Sequence, residues 1–237
     1  MTNSVFTQLC KDHGFIHKKQ CFFRCIGDGV YQTIRVNESR YIDAHSKEYN
    51  VLCRRSKRVA IGLYSIYSRL PEDWFNPRFG AGTIDAQNII GQRSSPFLGV
   101  HTHYEIMEKV GLTYLDKINT QEELLKALVI FSEFDPSLLT CQEICVPYLI
   151  CGKKNEANRI IESRLQDDHF IKWCNEFTDD WQKGKKNQVL YEWQELKELI
   201  YSEEKLSSYI QKNMQRNCEK AEHYGLKLTD CFSPILL

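Results

Sequence analysis

The sequence predicts an α+β protein: a short N-terminal helix, an antiparallel sheet built on a Gly-Asp-Gly hairpin, then an all-helical C-terminal half. Three observations carry this. Cys21 to Val36 holds two aromatic and β-branched runs around Gly27-Asp28-Gly29, Val59 to Tyr67 is a second β-rich run, and beyond Asn119 apolar residues recur every three or four positions. Strands followed by helices, rather than alternating with them, are the order of an α+β fold. The chain divides accordingly into an α+β domain over 1–118 and a helical domain or layer over 119–237.

Val5/Phe6 and Leu9/Cys10 stand at helical intervals, with Gly14 where a C′ residue belongs. In the hairpin, Asp28-Gly29 suits the two central positions of a type I′ turn, both of which need positive φ. That turn sets Gly27 opposite Val30, Phe23 opposite Ile34 and Cys21 opposite Val36. One face then carries Cys21, Phe23, Cys25, Ile34 and Val36, with Gln32 the polar exception, and the other mixes Arg24, Thr33 and Arg35 with Phe22, Ile26 and Tyr31. This is the pattern of a sheet packed on one side. Glu38 to Asn50 is polar and aperiodic. Strand resumes at Val51-Leu52-Cys53 and at Val59 to Tyr67, where Val59, Ile61 and Leu63 share a face and Ala60 and Gly62 permit close approach. Pro71 to Gly99 reads as a long loop, rich in Pro, Gly and the rings of Trp74, Phe75 and Phe79, with a short strand or helix around Ile84 to Ile90. Thr102 and Glu105 fit a capping box that starts a helix ending at Gly111.

The second half opens with a capping box at Thr120 and Glu123, followed by Leu124, Leu125, Leu128 and Phe131. Asp135-Pro136 starts a helix running to about Ile150 and kinked at Pro147; another spans Asn155 to Trp173 or Trp181 and breaks near Lys183-Gly184-Lys185-Lys186. The closing stripe is Val189/Leu190, Trp193, Leu196, Leu199/Ile200, then Leu206, Tyr209/Ile210 and Met214.

Composition limits the function classes. Lys+Arg and Asp+Glu each number 31, so no global field steers the protein toward nucleic acid or an anionic membrane. The N-terminus has no basic n-region or apolar h-region, and no apolar run approaches the ~18 residues that span a bilayer. The expectation is a soluble, cytoplasmic protein with no membrane contact. Its ten cysteines fall mostly within hydrophobic patterns, as reduced core thiols do.

From Val5 to about Leu115, three segments stand out: Lys18-Lys19-Gln20-Cys21-Phe22-Phe23-Arg24, Gly27-Asp28-Gly29-Val30-Tyr31-Gln32-Thr33-Ile34 and Ile61-Gly62-Leu63-Tyr64. Together they resemble the bacterial domain-of-unknown-function 4304 family. The resemblance implies a cytoplasmic bacterial α+β domain and brings no established activity or catalytic residues with it.

Candidate chemistry is sparse. His101-Thr102-His103 is a close histidine pair, but a helix start at Thr102 separates the two imidazoles, and Cys141, Cys145 and Cys151 interleave with Leu138, Ile144 and Leu149 as core residues do. No metal and no cofactor are expected. Arg54-Arg55-Ser56-Lys57-Arg58 is able to contact phosphates, yet charges of this kind also guard strand edges, so nucleic acid is not the expected partner. Trp74, Phe75 and Arg78 concentrate hot-spot residue types in a Pro-bounded loop and are the candidate partner-binding residues. The sequence reading is therefore a non-enzymatic protein-binding module, an immunity or regulatory factor. The alternative is a small hydrolase or transferase using His101 or His103 with an acid such as Glu105 or Asp85.

Overall fold

The computed structural model describes residues 4–18, 21–41, 54–70, 83–92, 100–134, 142–175 and 180–223. Helix α1 (Ser4–Asp12) leads into strands β1 (Ile16–Lys18), β2 (Cys21–Ile26), β3 (Val30–Tyr41), β4 (Arg54–Ser65) and β5 (Thr83–Asp85). They form one antiparallel sheet in chain order. A 3₁₀ turn (Ala86–Ile90) follows, then α2 (Val100–Ile106), a π-helical segment (Met107–Gly111) and α3 (Leu112–Lys117). The remainder is helical: α4 (Gln121–Phe131), α5 (Gln142–Ile150), α6 (Lys154–Leu165), α7 (Asp168–Asn175), α8 (Asp180–Leu199) and α9 (Glu203–His223). The α+β class and the order of its parts are as the sequence predicts.

The hairpin differs in register. Ile26 pairs with Val30 across a three-residue turn, so Cys21 faces Arg35 and Phe23 faces Thr33. Gly27 and Gly29 both take positive φ, 52° and 64°, and together they replace the two-residue turn. A slip of one residue reverses the face of a whole strand. Cys21, Phe23 and Cys25 thus share a face with Tyr31 and Thr33, while Phe22 and Arg24 lie with Gln32, Ile34, Val36, Val59, Ile61 and Leu63. The expected one-sided sheet is also corrected, because both sets of residues are buried. On the Phe22 side the ring of Phe6 from α1 packs edge-on, and Gln32 hydrogen-bonds the carbonyls of Leu115 and Ile118. On the other side Phe23 stacks on Tyr31, whose ring meets Tyr64 at a tilt. Helices α4 and α5 lie against β4.

Four helix boundaries also differ. The helix expected to start at Thr102 begins at Val100, and Gly111, with ordinary helical φ, does not end it. A π segment carries it through to Lys117. The single helix expected over 155–173 breaks at Asp167, whose carboxylate caps α7 by accepting from the backbone of His169 and Phe170. The break expected near Gly184 is absent, as α8 runs through it. Thr120 does cap α4. The Val51–Cys53 and Asp135–Pro136 expectations lie outside the described residues.

The buried side chains form one cluster from Phe6 to Ala221. Helix α9 is tied to the end of β4 by Asn217, whose amide donates to the carbonyls of Ile66 and Ser68 at 2.7 and 2.9 Å, and by Asn213 to Tyr67 at 3.5 Å. The hairpin turn docks on the entry to α4: Asp28 N–H donates to Asn119 O at 2.8 Å and the Gln121 amide to Asp28 O at 2.6 Å. A Cβ on Gly27 would collide with that same Asn119 carbonyl, whereas one on Gly91, also at positive φ, meets nothing. Gly27→Ala should therefore lose about 3 kcal/mol, from backbone strain plus two docking hydrogen bonds, against about 1 kcal/mol for Gly91→Ala. Urea unfolding of the two variants checks this; equal losses would show that the turn does not depend on its docking.

Candidate functional site

The structure brings two of the predicted residues together. His103, on α2, is 1% exposed, and its Nδ1 lies 3.4 Å from Asp85 Oδ1 at the end of β5. Asp85 is there for a local reason: its carboxylate accepts from Gln87 N at 3.1 Å while Asn88 Oδ1 accepts from Asp85 N, a capping box for the 3₁₀ turn. The imidazole is engaged at both nitrogens. Nδ1 is also 3.4 Å from the Val59 amide, and Nε2 is 3.3 Å from the Gln87 side-chain amide. A backbone N–H only donates and a carboxylate only accepts, so Nδ1 serves one of them at a time. In either tautomer Nε2, the atom a general base would present, faces Gln87 in the interior. This pair joins β4, the 3₁₀ turn and α2, and both side chains are buried. Glu105 is exposed on the same helix, away from this buried cluster.

A second Asp–His pair escaped sequence reasoning. His13 Nδ1 meets Asp116 Oδ2 at 2.8 Å across 103 residues, a separation at which no spacing signal exists. Asp116 also accepts from Arg24 Nη1 at 2.6 Å. Arg24, 6% exposed, sends Nε and Nη2 to Gln32 Oε1 and Nη1 to the His13 carbonyl, and lies 4.2 Å from the Phe15 ring centre. Burial alone would raise the Asp116 carboxyl, but hydrogen bonds from Arg24 and His13 outweigh it and hold it below the usual carboxylate range. Burial lowers the Arg24 guanidinium, with Asp116 opposing the change. The groups of this cluster tie α1, β2, β3 and α3 together, and the nearby Cys10 thiol is pushed up by burial.

Trp74, Phe75 and Arg78, expected to bind a partner, lie outside the described residues, as does the side chain of His101. Of the cysteines considered for metal, Cys145 is buried in the core and Cys151 half-buried, with burial pushing the Cys151 thiol up. Among the described residues no three His, Cys, Asp or Glu side chains gather as metal ligands. No described helix is long and apolar enough to cross a membrane.

One groove on the described surface, of about 550 Å³, lies between α8 and α9. The apolar seam of Trp193, Leu196, Leu199, Leu206 and Ile210 faces inward, which leaves Tyr191, Glu195 and Glu198 on one wall and Lys205 and Lys212 on the other. Lys205 Nζ reaches across to Glu198 at 2.7 Å. Tyr191 on the wall and Tyr201 in the connecting turn are 63% and 73% exposed. The sequence signal for this groove is the leftover set: Tyr191 and Tyr201 fall off the apolar stripe. No protein-family profile, curated protein or solved structure matches this chain.

The Asp116 arrangement has a pH signature. Its folded pKa lies below the ~3.9 of an unfolded Asp, so it contributes stability that is complete above that value and lost as pH falls through the folded one. Asp116→Asn should destabilise at neutral pH and flatten the stability curve below about pH 4. Chemical denaturation across pH 2 to 7 tests this; an acid limb as steep as the parent's would assign the linkage to other carboxyls.

Proposed function

We propose that this protein is a non-enzymatic protein-binding module, an immunity or regulatory factor, that engages its partner through the outer surface of the α8–α9 hairpin. The observation that carries this reading is the exposure of Tyr191 and Tyr201 beside a groove whose apolar seam is already buried. Tyrosines supply large, rigid contact area and are enriched among interface hot spots, and the paired Glu198 and Lys205 form a polar rim of the kind that surrounds such anchors. The burial of His103 and Asp85 speaks against the hydrolase or transferase reading. Trp74, Phe75 and Arg78 enter the proposal as a second contact on residue type alone. The burial of Cys10, Cys21, Cys25, Cys145 and Cys174 in the core supports a reducing, cytoplasmic setting.

Affinity capture from the source cell, followed by mass spectrometry, identifies the partner. Tyr191→Ala with Tyr201→Ala should then weaken its binding at least tenfold, about 1.4 kcal/mol, with the thermal midpoint unchanged. Replacing Trp74 and Arg78 by Ala separates the two surfaces. Parental affinity in the tyrosine variant would remove the hairpin from the interface.

A further inference from the structure

Helix α9 stands between two grooves. The groove against α8 has a neighbour of about 700 Å³ on the other side of α9, whose far wall is Leu149, Gly152 and Lys154 around the turn from α5 to α6. Glu204 and Ser208 line both grooves and so mark the ridge between them. Lys212, exposed like these two, continues the ridge at the same spacing of four residues, the row along which helix surfaces interlock.

The charges on this ridge are disposed symmetrically about a small residue. Glu204 lies four positions before Ser208 and Lys212 four after it, each about 6 Å away along the helix at ~1.5 Å per residue. Neither charge is met on α9 itself. Ser207 and Ser208 stand three and four positions after Glu204, and the corresponding neighbours of Lys212 are Ser208, Tyr209, Gln215 and Arg216. Among the described residues neither Glu204 nor Lys212 takes part in an ion pair, whereas the adjacent Lys205 and Glu203 are paired with Glu198 and Lys154.

We infer that this surface is a homodimer interface, in which α9 packs antiparallel on α9 of a second copy about a two-fold axis at Ser208. The inference rests on the proposed use of the α8–α9 hairpin as a binding surface and names its occupant. A two-fold axis at Ser208 sets Glu204 of each copy opposite Lys212 of the other, so the unmet charges become two equivalent pairs. Other alignments forfeit this. An axis at Lys212 sets that cation against itself, one midway between Gln211 and Lys212 sets Glu204 against Glu219, and a parallel pair opposes every charge to its like. Serine at the crossing lets the helix axes close to about 8 Å, the near end of the usual range. Exposed ion pairs fix register more than they supply affinity. The apolar contact comes from Tyr191, which lines the groove with Lys212 where Glu204 of the second copy arrives, and from Tyr201 at the start of α9.

Sedimentation equilibrium of the purified full chain tests the inference. A dimer is expected at about 100 μM chain in low salt, weakening as salt screens the two pairs. Lys212→Glu and Glu204→Lys should each weaken self-association at least tenfold, because each sets like charges together twice, and the two changes combined should restore it. Both positions are exposed, and circular dichroism checks that each variant folds. A monomer at that concentration, or a loss that the combined exchange does not rescue, would overturn the homodimer. Tyr191→Ala with Tyr201→Ala separates this outcome from failure of the binding-surface reading. A monomeric chain that still needs both tyrosines to hold a captured protein loses the homodimer and keeps that reading. A dimer that follows the charge exchange and ignores the tyrosines supports the α9 pairing and removes the tyrosines as anchors.

Discussion

The fold depends on a guanidinium almost wholly withdrawn from water. A buried cation is tolerated only when its donors are met, and Arg24 meets them with Gln32, Asp116 and the His13 carbonyl. Gln32 is oriented in turn, because its Oε1 faces Arg24 while its amide closes the last carbonyls around α3 at Leu115 and Ile118. One side chain on β2 therefore determines where α1 stops, how β2 and β3 align, and where α3 ends. Removing any single partner would leave charge or amide groups buried and unmet, which is far more damaging than an apolar substitution of the whole set.

Much of this was legible in the sequence, and the failures have identifiable causes. The first helix and its Gly14 cap, the β-branched runs and the Thr120 cap follow from local preferences, and local preferences held. The register did not follow, because Asp28-Gly29 satisfies a two-residue turn as well as Gly27-Asp28-Gly29 satisfies a three-residue one. What selects between them is the Asn119 carbonyl, a contact about ninety residues away that no window contains. Gln32 appeared as a polar intruder on an apolar face; it is the hinge of the network. Thr102 and Glu105 matched a capping pattern, yet packing of α2 against β4 extends the helix past it.

The two Asp–His pairs illustrate how residue types mislead. Asp85 with His103 has the composition of a catalytic dyad, but both ring nitrogens are spent on protein groups. Asp116 with His13 was invisible in the sequence and is an anchor for the same Arg24.

The amides of Asn213 and Asn217 reach back to Tyr67, Ile66 and Ser68 across 146 to 151 residues. During synthesis the sheet strands emerge long before α9 does, and the carbonyls that end β4 have no α9 donor until it arrives. A nascent chain stopped short of α9 presents those groups, and the apolar wall around Ile66 and Tyr67, to whatever else is nearby. Satisfying those carbonyls is therefore a late event that awaits the 146 to 151 residues separating them from their α9 donors. Such an order exposes the ribosome-bound protein to chaperone capture and to aggregation for most of its time in the making.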